Sequence, residues 1–268
     1  MHTVVCQCCM NKIFNHSSES MKEIPDKSVS LMVTSPPYNI DIQYGHRWEG
    51  GRQIRSKGVK YTDNLEESVY RTMLANVIEE IKRVLKDDGQ VWFNIKNRYD
   101  KGVITPPFWI LDYFSDMYLK NIIIWNFDWG GSTNKRFCSR YEYVFFFTKQ
   151  KDNYTFNLDD VKIPALNYRP DRYKSQLKNP TDVWRISMVS GNSLERTEHP
   201  AQYPEELVER IIKVGSNPGD LILDPFMGSG TTAVVAKRLG REFVGYELEK
   251  DYIKIAIERL KNEETNLF

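Results

Sequence analysis

One stretch limits the architecture more than any other. It runs Leu221-Ile222-Leu223, Asp224-Pro225-Phe226-Met227-Gly228-Ser229-Gly230, Thr231 to Leu239, then Phe243-Val244-Gly245-Tyr246 and Glu247. An apolar run, a glycine turn, a helical segment ended by Gly240 and a second apolar run predict a strand–turn–helix–strand unit. Such a unit belongs in a parallel sheet, because the connecting helix must carry the chain back before the second strand begins. The ligand crevice of such a sheet lies at the carboxyl ends of its strands. Gly228 and Gly230 are expected to face a ligand there. Glu247 follows at close to the spacing of about 20 residues at which an acid meets ribose hydroxyls. Gly228-Ser229-Gly230-Thr231-Thr232-Ala233 also satisfies the dinucleotide pattern. The turn alone therefore admits a nicotinamide dinucleotide as well as S-adenosylmethionine.

The remainder of the chain keeps the same alternation, which predicts α/β architecture with helices on both faces of a mostly parallel sheet. Ser30-Leu31-Met32-Val33 reads as a buried strand stopped by Pro36-Pro37. Val69, Met73, Val77, Ile81 and Leu85 predict the apolar stripe of a long helix ending before Asp87-Asp88-Gly89. Gln90 to Ile95, Asn121 to Phe127 and Tyr141 to Thr148 read as strands, and Pro107 as the start of a helix to about Met117. Pro204 precedes a helix running toward Gly215, and Asp251 to Leu260 forms the last helix. Two stretches lack periodicity: 41–64, read as a mobile loop, and 150–198, polar and rich in Tyr and Arg. The expected organisation is a catalytic half over 1–149, a target-recognition region over 150–198 and a cofactor-binding half over 199–268.

Thr34-Ser35-Pro36-Pro37-Tyr38 follows a strand, so it too lies at the ligand edge. Taken alone it suits a rigid turn or a proline-rich ligand motif. Beside the glycine turn it suits methyl transfer to an amino group conjugated with an aromatic base. That nitrogen is a poor nucleophile, because its lone pair is delocalised into the ring. The Ser35 hydroxyl and the Pro36 carbonyl could accept its two hydrogens and aim the lone pair at an electrophilic methyl. The two prolines fix the backbone, so that aiming costs little reorganisation. Tyr38 would stack on a base withdrawn from the duplex.

In this order the two loops resemble the β-group of amino-methylating DNA methyltransferases, in which the catalytic loop precedes the cofactor turn. His199-Pro200-Ala201-Gln202-Tyr203-Pro204 resembles the family's third cofactor-binding segment, and Tyr141-Glu142-Tyr143-Val144 through Lys149 its segment beside the target base. The likeness covers nearly all of the chain outside 41–64 and 150–198. It implies a Rossmann-like, mostly parallel seven-stranded sheet and S-adenosylmethionine as cofactor. Asp224, Phe226, Gly228, Gly230, Thr231 and Glu247, with His199 and Gln202, would hold that cofactor. Ser35, Pro36, Pro37 and Tyr38 would hold the flipped base, and Arg136, Arg140, Arg169, Arg172 and Lys174 would contact DNA. Ser at the first loop position usually accompanies N4-cytosine methylation in this family, and Asp N6-adenine methylation. The implied partners are double-stranded DNA and a cognate restriction endonuclease acting on the same site. The chain departs from the family in two places. Asn15-His16-Ser17-Ser18 stands where Gly-Asp is frequent, and Tyr203 stands where Lys is common.

Composition narrows the field further. Thirty-seven basic and thirty-six acidic residues neither demand nor exclude nucleic acid. The basic ones cluster, however, at Arg47, Arg52, Arg55, Lys57 and Lys60, at Lys135, Arg136 and Arg140, and at Arg169, Arg172, Lys174 and Lys178. No apolar run reaches membrane-span length, and a cytoplasmic location is expected. Cys6, Cys8 and Cys9 lack zinc-ligand spacing, so no metal is expected. None of the four cysteines follows a proline, which disfavours C5-cytosine methylation through a covalent cysteine adduct. The rival activities are N6-adenine methylation, methylation of RNA, protein or a small molecule, and dinucleotide-dependent oxidoreduction. The last would leave Pro36-Pro37-Tyr38 without a purpose.

Overall fold

The computed structural model describes residues 10–42, 46–49, 52–55, 63–130, 133–165, 175–191 and 193–266. Strands β1 (Lys12–Phe14) and β2 (Val29–Thr34) come first. Within the stretch read as an irregular loop, β3 (His46–Glu49) and β4 (Arg52–Arg55) pair as an antiparallel hairpin.

Helix α1 (Glu67–Val84) is capped by Glu66, whose carboxylate accepts the backbone N–H groups of Ser68 and Val69. Glu67 in the first turn and Lys82 and Arg83 in the last suit the helix dipole. Its buried face is Tyr70, Leu74, Val77, Ile78, Ile81 and Val84, while Val69 is 53% exposed. The expected four-residue stripe overshoots a 3.6-residue turn by about 40° per step, so it winds off the core face.

Strand β5 (Leu85–Ile95) begins directly at the helix end, earlier than expected, because Leu85 already pairs with Val29. The next two strands, β6 (Arg98–Asp100) and β7 (Val103–Thr105), form a hairpin. Its turn residues Lys101 and Gly102 have φ of 46° and 87°, as a tight two-residue hairpin turn requires. Pro107 opens a 3-10 turn and a short α2 (Ile110–Tyr113) instead of a helix to Met117. The chain turns at Phe114–Met117 so that β8 (Tyr118–Asn126) can lie against β9 (Tyr141–Thr148), with Tyr118 opposite Thr148.

Two-residue strands β10 (Ile163–Pro164) and β11 (Leu177–Lys178) pair with each other, and β12 (Val183–Arg185) follows. The last part of the chain is α3 (Glu205–Gly215), β13 (Leu221–Asp224), α4 (Thr231–Arg238), β14 (Glu242–Tyr246) and α5 (Lys250–Asn266).

Eight strands make one sheet in the order β1-β14-β13-β2-β5-β9-β8-β12. Only β9 runs against its neighbours; the other pairings give a common direction. The fold class is the expected one, and β12 is the strand beyond the expected seven. Successive residues of the central strands enter opposite cores. Val91 and Phe93 face the side of α1, with Tyr70 and Ile81, while Trp92 faces the side of α3, with Ile211 and Val235. The stretches of β2, β5 and β13 that are buried on both faces are therefore mainly apolar. The ends of 150–198 belong to this second core: Val161, Trp184 and Ile186 are buried in it, and Trp184 stacks 6.0 Å from Trp92.

Candidate active site

The carboxyl ends of β2, β13 and β14 meet at one edge of the sheet and open onto a cleft. Its cofactor side is built on Asp224, the last residue of β13. This fully buried carboxylate accepts the Thr34 and Thr232 hydroxyls, each at 2.6 Å, the Tyr203 hydroxyl at 2.8 Å and the Phe226 N–H at 3.0 Å. Burial pushes its carboxyl above the ordinary range, against the pull of those donors. Asp224 does not line the cleft; it fixes the turn that does. Tyr203, at the family's usual lysine position, also contacts the Thr232 hydroxyl and so becomes part of that support.

Within the turn the two glycines differ. Gly228 lines the cleft with φ of 52°, and its N–H donates to Glu247 Oε2 at 2.8 Å. A Cβ there would stand 2.9 Å from His199 Nε2. Gly230 turns away from the cleft: with φ of 82°, its missing Cβ would lie 2.5 Å from that of Ala256 on α5. The space a side chain would need at Gly230 is filled by the packing of α5. Thr231 and Gln202 line a smaller recess that shares Ser35, His199, Phe226 and Gly228 with the cleft. Thr231 Oγ1 accepts from Arg259 at 3.0 Å. Gln202 accepts the Thr197 N–H and hydroxyl and donates to the Glu195 carbonyl, closing the segment that carries His199.

Phe226, His199 and Glu247 do line the cleft. Glu247 accepts the Gly228 and Glu249 N–H groups, and burial raises its carboxyl to about 7. The His199 ring is edge-on to Tyr252 at 4.4 Å, and its Nδ1 accepts the Ala201 N–H at 3.2 Å. Burial, helped by nearby Arg259, holds its pKa down at about 3, so the ring is neutral.

The sequence reading did not place His16, Ser17, Ser18, Tyr246 and Tyr252, which complete this wall. The signal was the departure from Gly-Asp itself. Asn15 Nδ2 donates to the Glu247 and Leu248 carbonyls, both at 2.9 Å, and so brings the following residues into the cleft.

The opposite wall is Ser35, Pro36, Pro37 and Tyr38. The Tyr70 hydroxyl holds the Pro37 carbonyl at 2.8 Å. Beyond the loop, buried Asp63 accepts the N–H groups of Asn39, Ile40 and Ile42 and so pins the exit segment. Tyr38 is only 6% exposed, with its hydroxyl turned inward and Lys96 Nζ 4.8 Å from its ring centre. That hydroxyl lies 2.5 Å from Ser35 Oγ and donates to Glu142 Oε2 at 2.8 Å. Asn94 Nδ2 donates to the Tyr38 hydroxyl and to Glu142 Oε2, each at 2.8 Å, and reaches Ser35 Oγ at 3.3 Å.

Of the cations expected at DNA, Arg136 stacks 3.7 Å over the Tyr99 ring, and Arg140 is half-buried with Nη1 donating to the Ser139 carbonyl. Arg169, Arg172 and Lys174 lie outside the described residues, as do Cys6, Cys8 and Cys9. Among the described residues no group of His, Cys, Asp and Glu could hold a metal, and no helix is long and apolar enough to cross a membrane.

Comparison with known proteins agrees with this geometry. A family model described as DNA methylase matches residues 29–258. The type II methyltransferase M.BglII of Bacillus subtilis is 37% identical, covering 95% of this chain and 70% of that protein. The DNA adenine methyltransferase YhdJ of Escherichia coli (strain K12) is 36% identical, covering 90% and 79%. Among solved structures, the cytosine-N4-specific PvuII DNA methyltransferase superposes with a TM-score of 0.67 at 22% identity, covering 92% of this chain and 85% of that one.

Proposed function

The chain belongs to the DNA methylase family, in its β-group of amino-methylating enzymes, and we propose that it methylates cytosine N4 within a specific sequence of double-stranded DNA. The methyl donor is S-adenosylmethionine, which supplies an electrophilic methyl group on a sulfonium sulfur. The cleft fits such a group. Phe226, Tyr246 and Tyr252 offer apolar walls, Glu247 can accept from ribose hydroxyls, and Gly228 leaves open the space that a Cβ would take.

The observation that carries the reading is the direction of the Ser35 hydrogen bond. Tyr38 has one hydroxyl proton and gives it to Glu142, so the proton between Ser35 and Tyr38 must come from Ser35. Ser35 Oγ is thereby left as an acceptor on the cleft side. An exocyclic amino group, whose two hydrogens need acceptors, is the ligand that such an oxygen suits. Held there, its lone pair can be aimed at the methyl carbon, and alignment supplies much of the rate.

Ser35 at the first position of the loop supports cytosine over adenine. The likeness to a DNA adenine methyltransferase favours N6-adenine as the second reading. The DNA face would comprise Arg136 and Arg140 with the 150–198 region, and the type II relatives support pairing with a restriction endonuclease acting on the same site. The test is to methylate duplex DNA with labelled donor and digest it to nucleosides. Label in N4-methyldeoxycytidine is expected; label in N6-methyldeoxyadenosine would replace this reading with the second.

A further inference from the structure

The proposed reaction leaves a proton to be removed, and the structure contains a path for it. We propose that Ser35, Tyr38 and Glu142 form a proton relay ending on the Glu142 carboxylate. The inference rests on the reading of the cleft as an amino-methylation site.

The three groups come from separate parts of the chain. Ser35 and Tyr38 follow β2, and Glu142 is the second residue of β9, 104 positions beyond Tyr38. The antiparallel placement of β9 beside β5 brings its amino end to the ligand edge, where the parallel strands have their carboxyl ends. Glu142 is 9% exposed and Asn94 4%. A carboxylate at such depth needs donors, and it has two on one oxygen: the Tyr38 hydroxyl and Asn94 Nδ2. Asn94 also donates to the Tyr38 hydroxyl, so that oxygen accepts from Asn94 and Ser35 while donating to Glu142. Every hydroxyl proton in the chain therefore points away from the cleft.

The amino nitrogen forms its bond to the methyl carbon, and the carbon–sulfur bond breaks with its electron pair left on sulfur. As the new bond forms, the nitrogen gives its surplus proton to Ser35 Oγ in the same step. Ser35 passes its own hydroxyl proton to Tyr38, and Tyr38 passes its proton to Glu142. Neither hydroxyl ends charged, and Glu142 ends neutral. Glu142 touches no substrate atom; it acts through Tyr38 and Ser35. The phenol of Tyr38 then has a use separate from that of its ring.

The test compares wild type with Tyr38→Phe, Glu142→Gln and Glu142→Asp in single-turnover methyl transfer to duplex DNA. Tyr38→Phe keeps the ring and Glu142→Gln keeps the volume, so calorimetric affinities for S-adenosylmethionine and DNA should stay within about threefold. Transfer should slow on the order of 10²-fold in both, the usual scale for losing a proton-transfer group, with partial rescue in Glu142→Asp. Rates in mixtures of H2O and D2O should follow a curved dependence in wild type, reporting several protons in flight, and a straight one in Tyr38→Phe. A merely structural role would leave that curvature in place. In the ligand-free protein, the Tyr38 hydroxyl proton should give a slowly exchanging downfield resonance that Tyr38→Phe removes and Glu142→Gln shifts. Wild-type rates in Glu142→Gln, or curvature retained in Tyr38→Phe, would overturn the relay. If Glu142→Gln does not fold, Tyr38→Phe decides the matter. Absence of any methyl transfer by wild type would instead overturn the function on which the relay depends.

Discussion

The Gly228 N–H donates to Glu247 Oε2 at 2.8 Å, joining the turn after β13 to the acid after β14. The same carboxylate accepts the Glu249 N–H at 2.7 Å, so it is oriented before any ligand arrives.

Burial has a measurable consequence at Glu247. Its folded-state carboxyl, raised from 4.5 to about 7, holds a proton more tightly than the unfolded chain does. The associated stability is fully present below 4.5 and is lost as pH rises toward 7. His199, lowered from 6.5 to about 3, contributes stability above 6.5 that is lost as pH falls toward 3. Comparing Glu247→Gln with wild type separates the two. The variant should show a flatter stability profile between pH 4.5 and 7 in chemical denaturation. Ribose hydroxyls donate to the ionised acid, so wild-type cofactor affinity should rise from pH 6 to pH 8, and calorimetry should find that rise missing in Glu247→Gln.

Ser35→Ala removes the acceptor that faces the cleft without touching the cofactor wall. Methyl transfer should slow by about 10²-fold through misplacement of the amine, while cofactor affinity stays near wild type. Rapid-quench transfer assays beside calorimetry check both halves. Unchanged turnover would remove Ser35 from its role.

Gly230→Ala should act on stability before it acts on binding. The new Cβ meets Ala256 at 2.5 Å, and the backbone has φ of 82°. Overpacking and the left-handed backbone together should cost roughly 2–4 kcal/mol. Ala256→Gly in the same chain should restore part of that loss, as read by thermal melts. Cofactor affinity, corrected for the folded fraction, should hold.

If Arg136 and Arg140 contact phosphates, DNA affinity should fall steeply with salt. Arg136→Ala and Arg140→Ala should each reduce the slope of log affinity against log salt by roughly one. Binding measured from low to moderate salt decides it, and an unchanged slope would place that residue off the DNA.

The features legible in the sequence were local ones. Pro36-Pro37 and the Gly228 turn have their geometry set by their own residue types, and the apolar runs of β2, β13 and β14 declare their burial directly. The illegible ones depend on distant partners. Nothing near Asp224 says that Thr34 and Tyr203 will close over it, so a residue expected at the cofactor is found beneath the turn. Gly230 fits a ligand-binding pattern, yet its tight neighbour is Ala256, which only the docking of α5 supplies. Glu142 was legible as part of a segment beside the target base, but its partner Tyr38 came only from the register of β9.

Two bonds between neighbouring strands have a wider consequence. Ser30 on β2 donates to Asp220, just before β13, and Thr34 to Asp224 at the end of β13, each at 2.6 Å. One strand leads into the base-side loop and the other into the cofactor turn, so the reaction centre is a seam between two halves of the polypeptide. Severing the chain in the exposed stretch near residues 175–182 would put one lip of that seam on each fragment. Their reunion would then register as catalysis, with each fragment inert alone, and the enzyme could serve as a reporter of its own reassembly.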